Sequence, residues 1–471
     1  MSRSSPPLSK TNYIDLLHGQ FHGTKPENLD KLFKALNQSG LNHLVVHFHG
    51  GLVSQKDALT EAKNLKDAYV LGGAYPVFFI WNSSLLSDLR IAIHKRTKQR
   101  LFVHLVQRIL GYSVNNSSSR LKKGGMPGTL PELEKWAQKK ECEGEFASTP
   151  LTTRERALIE DELAKDPVLI RDLHRILAEK SGLNCPFPEL RNLLIQGHMN
   201  GISDARVLAR LVIPVIDMVR RRFQDHRDHG LYTTVLEEVL VQVVRLDLDV
   251  IIPTWNQMKQ DTDSAFIQNP SKYGGWAFLK HLQKWWQPKL KPGQRITLIG
   301  HSAGAIYIGN FLAAAQQVIP LLKVDVVFLA PACSYAFLNE NLQAFKKQVT
   351  HLRMFALKGE VERGYWEVQG IYLGSLLYII SSLCESANKV NEEDVPLLGM
   401  QRYYDAQGPY KGIRAIPNVT DWLAKNSGPD LVWTPTGSAS PGRESAAKKH
   451  GDFSTDKPTL KSLTHILSHG Y

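Results

Sequence analysis

Paired cysteines and long apolar runs are both missing from this sequence of 471 residues. Its four cysteines lie far apart with no CxxC pair, which excludes a disulfide framework and a thiolate zinc site; they are Cys142, Cys185, Cys333 and Cys384. No stretch approaches the ~20 apolar residues of a membrane-spanning helix. Residues 1–10 are rich in Ser and Pro and lack the apolar core of a signal peptide. We therefore expect a disordered tail there and a cytoplasmic protein.

Compositional bias and internal repeats are also absent. Hydrophobic residues make up 43% of the chain and charged residues 22%, which excludes a largely disordered or fibrous protein. Positive charge is in excess, with a formal net charge of +12, and this favours anionic partners in general. Composition does not choose among such partners, and we expect no specific nucleic-acid binding.

Short β-branched or aromatic runs bounded by turn residues predict strands in two separated parts of the sequence. The first part holds His43–His49 and Tyr75–Trp81, and the second holds Arg295–Gly300, Val324–Ala330 and His351–Leu357. Helical segments alternate with these strands. The pattern predicts an α/β core, built from residues 11–90 and 251–471, with a mostly parallel sheet and helices on both faces.

Residues 91–250, between the two strand-rich parts, show a different periodicity. Apolar residues recur at helix spacing in Leu101–Ile109, Val168–Leu177 and Val207–Val219. The sequence therefore predicts a large inserted helical cap over 91–250.

The strongest chemical signal is Gly300-His301-Ser302-Ala303-Gly304, which follows a predicted strand and precedes a helix-compatible run. This is the context that a G-x-S-x-G motif requires. Small flanking residues permit a sharp turn that exposes the Ser302 hydroxyl at the carboxyl edge of the sheet. Ser302 is therefore the candidate nucleophile.

On this motif the chain resembles the α/β-hydrolase superfamily of serine esterases and lipases, over the two strand-rich parts but not the insert. The superfamily builds an oxyanion hole from an early strand-to-helix loop, and His49-Gly50-Gly51-Leu52 stands in the matching place. The resemblance implies oxyanion donors at the amides of Ala303 and Gly51, with Leu52 as the neighbouring alternative.

The resemblance also implies a histidine base late in the chain, just past a final strand. Leu431–Thr434 is the expected last strand, and His450 lies on the loop before a helix-like tail. His465 and His469 fall on or after that tail helix and are better interpreted as surface residues.

The acid of the implied triad follows the strand His351–Leu357, where the superfamily more often has an aspartate. This chain has glutamates instead, so Glu360, the first carboxylate after the strand, is the candidate acid and Glu362 the direct alternative. An acid elsewhere, such as Asp452, stays open.

A metal site is the rival interpretation of the first strand. His43, His47 and His49 alternate along one face, but no carboxylate or further histidine follows closely. Packing under the oxyanion loop is therefore favoured, and we expect neither a metal nor a cofactor.

Two segments bear on the substrate. Arg90–Lys123 is basic and amphipathic without any acidic residue, so it either contacts an anionic membrane surface or forms the solvated face of the insert. Gly370–Leu383 is apolar but too short to span a bilayer, and a packed helix or a wall of an acyl pocket is expected.

The sequence thus predicts a serine hydrolase that cleaves a carboxylic ester of a small molecule or lipid through an acyl-enzyme on Ser302. Two alternatives remain. One is a lipase or phospholipase acting at an anionic membrane surface, and the other is a non-catalytic binding module with a hydrolase fold.

Overall fold

The computed structural model describes residues 8–51, 54–81, 85–114, 126–178, 187–243, 252–287, 291–385, 394–427, 431–437 and 439–471. Most of the predicted N-terminal tail, residues 1–7, lies outside these ranges. The chain divides into two compact units. The first comprises Met1–Leu86, Thr254–Glu362 and Pro396–Tyr471, and the second comprises Ser87–Pro253 and Arg363–Val395.

The first unit contains an eight-stranded sheet with the order β2-β1-β4-β3-β5-β6-β7-β8. Its strands are β1 (Tyr13–Leu17), β2 (Gln20–Phe21), β3 (His43–Phe48), β4 (Tyr75–Trp81), β5 (Arg295–His301), β6 (Val324–Leu329), β7 (Val349–Leu357) and β8 (Leu431–Thr434). Only the pair β1 and β2 is antiparallel. The predicted α/β class with a mostly parallel sheet is confirmed, and β3 to β8 match the strands expected from the sequence.

Helices connect the strands of the first unit. They are Pro26–Gln38, Gln55–Leu71, Ile252–Ser264, Gly274–Trp285, Gly304–Val318, Tyr335–Glu340, Leu342–Gln348, Gly359–Arg363, Ala415–Ser427 and Lys457–His469, with short 3₁₀ turns at Gln401–Tyr404 and Asp452–Ser454. Every residue of β3, β4 and β6 is buried, as expected for central parallel strands, which are covered on both faces.

Two helices from opposite ends of the chain share one apolar cluster with the sheet. Ala58, Ala62 and Leu65 of Gln55–Leu71 belong to the same cluster as Leu463 and Ile466 of the C-terminal helix. This packing fixes the C-terminal helix, and with it the loop that carries His450, beside the central strands.

The second unit is helical. Its helices are Leu85–Thr97, Arg100–Ser113, Leu130–Cys142, Thr153–Ala164, Pro167–Ala178, Pro188–Met199, Asp204–Gln224, Leu231–Glu238 and Leu376–Ile379, and its π-helical turns are Val239–Val243 and Ile380–Glu385. Leu85–Thr97 and Ile252–Ser264 begin next to the boundaries between the units. Among the described residues, no helix has the length and apolarity needed to cross a membrane.

Residues 363–395 belong to the second unit, whereas the sequence placed them in the α/β core. The reason is a set of specific hydrogen bonds that apolar composition does not reveal. Tyr232 donates its hydroxyl proton to the Ile371 carbonyl at 2.7 Å, and Thr233 donates to the Leu373 carbonyl at 2.7 Å.

A buried ionic cluster holds this unit together around Glu237, which is 1% exposed. Its carboxylate lies 2.9 Å from Arg222 Nη1 and 2.9 Å from His229 Nδ1, and it accepts a hydrogen bond from the Tyr372 hydroxyl at 2.6 Å. Burial raises the pKa of Glu237, but His229 and Arg222 outweigh this and lower that pKa to about 2. Glu237 is therefore ionised at neutral pH.

Candidate active site

Ser302 occupies a sharp turn between β5 and the helix Gly304–Val318, which we call the elbow helix. Its φ is +53°, in the left-handed region that a residue with a side chain rarely adopts. The Ser302 amide donates to the Leu329 carbonyl at 2.9 Å, which ties the turn to β6. The strand, the strained serine and the helix follow one another in the way that the motif requires.

Close backbone packing explains the glycine at the start of the elbow helix. A Cβ at Gly304 would overlap the Phe48 carbonyl oxygen and would lie 2.9 Å from the Phe48 carbonyl carbon. The elbow helix therefore begins directly against the carboxyl end of β3, which leads into the predicted oxyanion loop.

Ser302 and His450 are both buried, at 2% and 5% exposure, although both are polar. Among the described residues, neither Ser302 Oγ nor either ring nitrogen of His450 has a hydrogen-bond partner. A buried polar group left without a partner costs about 1–3 kcal/mol, so each such group in a folded protein calls for an explanation, of which a catalytic role is one. The fold thus retains a hydroxyl and an imidazole that no structural hydrogen bond uses.

His450 is held near the elbow by His301, the residue before Ser302. His301 donates from Nε2 to the His450 carbonyl oxygen at 2.9 Å, and the two rings stack with centroids 5.2 Å apart. Burial lowers the pKa of His450 well below its ordinary value, and the neighbouring His301 lowers it further. The His450 imidazole is therefore neutral at neutral pH, the form that accepts a proton.

Asp452, considered as an acid in the sequence, shapes the loop of His450. Its Oδ2 accepts the backbone N–H groups of Lys448 and Lys449, each at 3.0 Å. Asp456 then caps the C-terminal helix by accepting the Thr459 N–H at 3.0 Å. These bonds give the loop a defined conformation.

The two candidate glutamates lie on the short helix Gly359–Arg363 that follows β7. Glu360 is exposed, whereas Glu362 is 1% exposed. Neither carboxylate is hydrogen-bonded to His450, since the ring nitrogens of His450 have no partner in the described part of the chain. The structure places His450 beside His301, the residue before Ser302, but among the described residues the Ser302 hydroxyl is not hydrogen-bonded to the His450 ring, and no glutamate is hydrogen-bonded to that ring.

The predicted oxyanion loop contacts the elbow through its glycines. A Cβ at Gly50 would lie 3.2 Å from the Ser302 Cβ, and one at Gly51 would lie 2.9 Å from the Ala303 Cβ. Gly51 also abuts the Met258 sulfur. The two predicted donor residues, Gly51 and Ala303, are therefore neighbours, while the alternative donor Leu52 lies outside the described residues.

His49 fixes the conformation of this loop. The Trp81 amide donates to His49 Nε2 at 3.1 Å, so the proton of the neutral ring is on Nδ1, which donates to the Gly50 carbonyl at 2.6 Å. Burial lowers the pKa of His49 to about 4, which keeps the ring neutral. In a trans peptide the N–H points opposite to the C=O. The Gly51 amide therefore points away from His49.

The other two histidines of the metal interpretation have separate partners. His43 Nε2 is 2.8 Å from the Thr297 hydroxyl, and His47 Nδ1 is 2.9 Å from the Tyr69 hydroxyl. Burial lowers the pKa of both, that of His43 to about 4. Across the described ranges, no group of three or more His, Cys, Asp or Glu side chains is placed to hold a metal ion.

The basic stretch Arg90–Lys123 acquires acidic partners from elsewhere in the second unit. Arg90 pairs with Glu367 at 2.8 Å, and Arg108 pairs with Asp166. Residues 115–123 of the stretch lie outside the described residues. Most apolar residues of Arg100–Ser113 are buried; they include Leu101, Phe102, Leu105, Val106, Ile109 and Leu110. That apolar face is therefore not available for insertion into a lipid surface.

Sequence patterns predicted no role for two residues beside the elbow, His301 and Glu61, and assigned His49 only to packing. His301 is the variable residue of the motif, and Glu61 lies on the helix Gln55–Leu71, 240 positions earlier in the chain. Only a buried charge on an otherwise apolar helix face could have singled out Glu61.

No protein family profile matches the chain, and neither a curated protein nor a solved structure is significantly similar to it.

Proposed function

We propose that this chain is a serine hydrolase of the α/β-hydrolase type that cleaves a carboxylic ester through an acyl-enzyme on Ser302. The observation that carries the proposal is the strained turn at Ser302, with φ of +53°, whose buried hydroxyl and the buried His450 imidazole have no hydrogen-bond partner among the described residues. Backbone strain of this kind clusters at active sites, and a nucleophile elbow requires it at the serine.

The chemistry assigned to the site is acyl transfer. Ser302 Oγ attacks the ester carbonyl carbon while neutral His450 takes the hydroxyl proton, and the same proton then goes to the leaving alkoxide. The amides of Ala303 and Gly51 stabilise the tetrahedral oxyanion. Water, deprotonated by His450, attacks the acyl carbon; the bond to Ser302 Oγ breaks, His450 returns the proton to Oγ, and the carboxylic acid is released. No cofactor or metal takes part in these steps.

Burial favours Glu362 over Glu360 as the acid that orients His450. A carboxylate supports an imidazolium best in a site shielded from water, because the electrostatic interaction is stronger there. Glu362 is 1% exposed, while Glu360 faces solvent. The order β5-β6-β7-β8 supports this role, because both glutamates follow β7 and His450 follows β8, as in the superfamily that the motif resembles.

Substrate entry requires movement around the nucleophile. Ser302 is 2% exposed, so an ester carbonyl reaches its Oγ only after neighbouring atoms rearrange. Action at an anionic membrane would rest on exposed cations, such as Lys95, Lys98 and Arg100, and on the exposed side chain of Ile91, since the apolar face of Arg100–Ser113 is buried. We therefore favour a small-molecule or lipid ester delivered without insertion of this stretch.

The direct test is ester turnover by the purified chain, with p-nitrophenyl esters of increasing acyl length. Ser302→Ala removes the nucleophile but little packing, so kcat should fall by several orders of magnitude. Ser271→Ala, at an exposed serine, is the matched control and should keep the wild-type rate. Turnover by Ser302→Ala near the wild-type rate would overturn the proposal.

A further inference from the structure

Two buried polar atoms face each other beside the elbow. Glu61 Oε1 lies 3.7 Å from His301 Nδ1, and neither atom has a hydrogen-bond partner among the described residues. The Glu61 side chain is 11% exposed. A side-chain movement of about 1 Å would bring the two atoms to hydrogen-bond distance and give each of them a partner.

The other contacts of this pair lead to the loop of His450. Glu61 is hydrogen-bonded to the Ser454 side chain, and His301 donates from Nε2 to the His450 carbonyl at 2.9 Å. Ser454 and His450 lie at either end of the same short segment. Glu61 and His301 together therefore contact that segment at two points.

The protonation of the pair follows from these bonds. His301 Nε2 must carry a hydrogen to donate to a carbonyl, so a bond between Nδ1 and Glu61 Oε1 needs one further proton. That proton belongs either to the Glu61 carboxyl or to an imidazolium, and in both cases the pair is neutral overall. Burial raises the pKa of Glu61, although His301 opposes this effect, so the burial favours retention of the proton.

We propose that Glu61 is a positioning residue, which shares a proton with His301 and thereby holds the His450 loop against the Ser302 elbow. This inference rests on the proposed function for its effect on turnover, but the loop contact itself does not depend on activity.

Loss of the shared proton should release the loop. Without it, a carboxylate faces the lone pair of Nδ1 and the contact becomes repulsive. The titratable groups around the pair are Tyr69, which interacts with Glu61, and His47, His49 and His450, which interact with His301. Burial keeps the Tyr69 phenol and these three imidazoles uncharged at neutral pH, so none of them adds a charge beside the Glu61–His301 contact.

Hydrogen exchange of the full chain, measured by mass spectrometry on peptides covering residues 446–456, tests the contact. Glu61→Leu removes the hydrogen bond and should speed exchange about fivefold, as expected for one lost hydrogen bond. Glu61→Gln can donate to neutral His301 Nδ1 and should exchange like the wild type. Asn64→Leu, at an exposed position of the same helix, is the control. Wild-type exchange in Glu61→Leu would overturn the inference.

The pH dependence of ester turnover distinguishes a positioning role of Glu61 from a role in packing alone. In the wild type, ester turnover should fall as rising pH removes the shared proton, through a drop in kcat with little change in KM. Glu61→Gln, which has no proton to lose there, should lack that falling limb. An unchanged limb in Glu61→Gln would overturn the positioning role even if Glu61→Leu fails to fold. If the wild type turns over no ester while the exchange result holds, the proposed function fails and the loop contact stands.

Discussion

Gly304→Ala tests whether the elbow and the oxyanion loop form one tightly packed structure. The new Cβ would lie 2.9 Å from the Phe48 carbonyl carbon and 3.2 Å from the His49 carbonyl oxygen, and it would overlap the Phe48 oxygen. All three are backbone atoms at the end of β3, which β4 and β5 hold on both sides. The elbow helix must therefore move away by about 1 Å, the usual response to overpacking.

The expected magnitudes follow from this shift. Alanine gains about 0.5–1 kcal/mol over glycine inside a helix, but overpacking costs about 1–3 kcal/mol, so a net loss of about 1–2 kcal/mol is expected. Because the Ala303 amide moves with the helix, kcat should fall about 100-fold, the effect of a 1 Å misplacement. Urea unfolding and ester turnover measure the two effects.

The control is Gly412→Ala, whose Cβ would meet nothing within 4 Å and whose backbone is not left-handed. This variant should match the wild type in both assays. If Gly304→Ala also keeps wild-type stability and turnover, the close contact between the elbow helix and β3 does not exist as described.

Three further predictions concern titratable groups. Glu362→Gln should lower kcat by up to about 10⁴-fold, whereas Glu360→Gln, at an exposed position, should leave kcat nearly unchanged. Steady-state kinetics of both variants on one ester test this, and a loss of kcat confined to Glu360→Gln would reverse the assignment. Because burial lowers the pKa of His450, its base form persists into acid, so the acid limb of kcat/KM should lie below the ordinary imidazole value of about 6.5; a limb at or above that value would contradict the burial of the ring. The pKa of Glu237 falls from 4.5 to about 2 on folding, so its stabilisation is present above pH 4.5 and is lost as pH falls towards 2. Urea unfolding at pH 7 and pH 3 should show most of that loss, about 2 of about 3 kcal/mol in total, and Glu237→Gln should remove this pH dependence.

Sequence patterns found the central strands and the elbow because both are local. Buried parallel strands are continuous apolar runs, and the glycine-flanked serine needs only its own strand and helix to be recognised. The strand β1, Tyr13–Leu17, was not predicted, because its short run includes Asp15 and it is identified only by pairing with β4.

Sequence patterns do not reveal contacts between residues that are far apart in the chain. His301 and His450 are separated by 149 positions, and their hydrogen bond involves a backbone carbonyl that leaves no trace in residue identity. The choice between Glu360 and Glu362 depends on which side of one short helical turn is buried. The run Gly370–Leu383 is apolar enough to fit either unit, and Tyr232 and Thr233 hydrogen-bond to its backbone in the second unit.

Labelling with a fluorophosphonate tests the central claim most directly, because only a serine activated by a base reacts rapidly. The wild-type chain should gain one adduct, and peptide mapping should place it on Ser302. Ser302→Ala should gain none, and His450→Ala should react far more slowly. A wild-type chain that stays unlabelled, or an adduct that persists in Ser302→Ala, would contradict the assignment of this site.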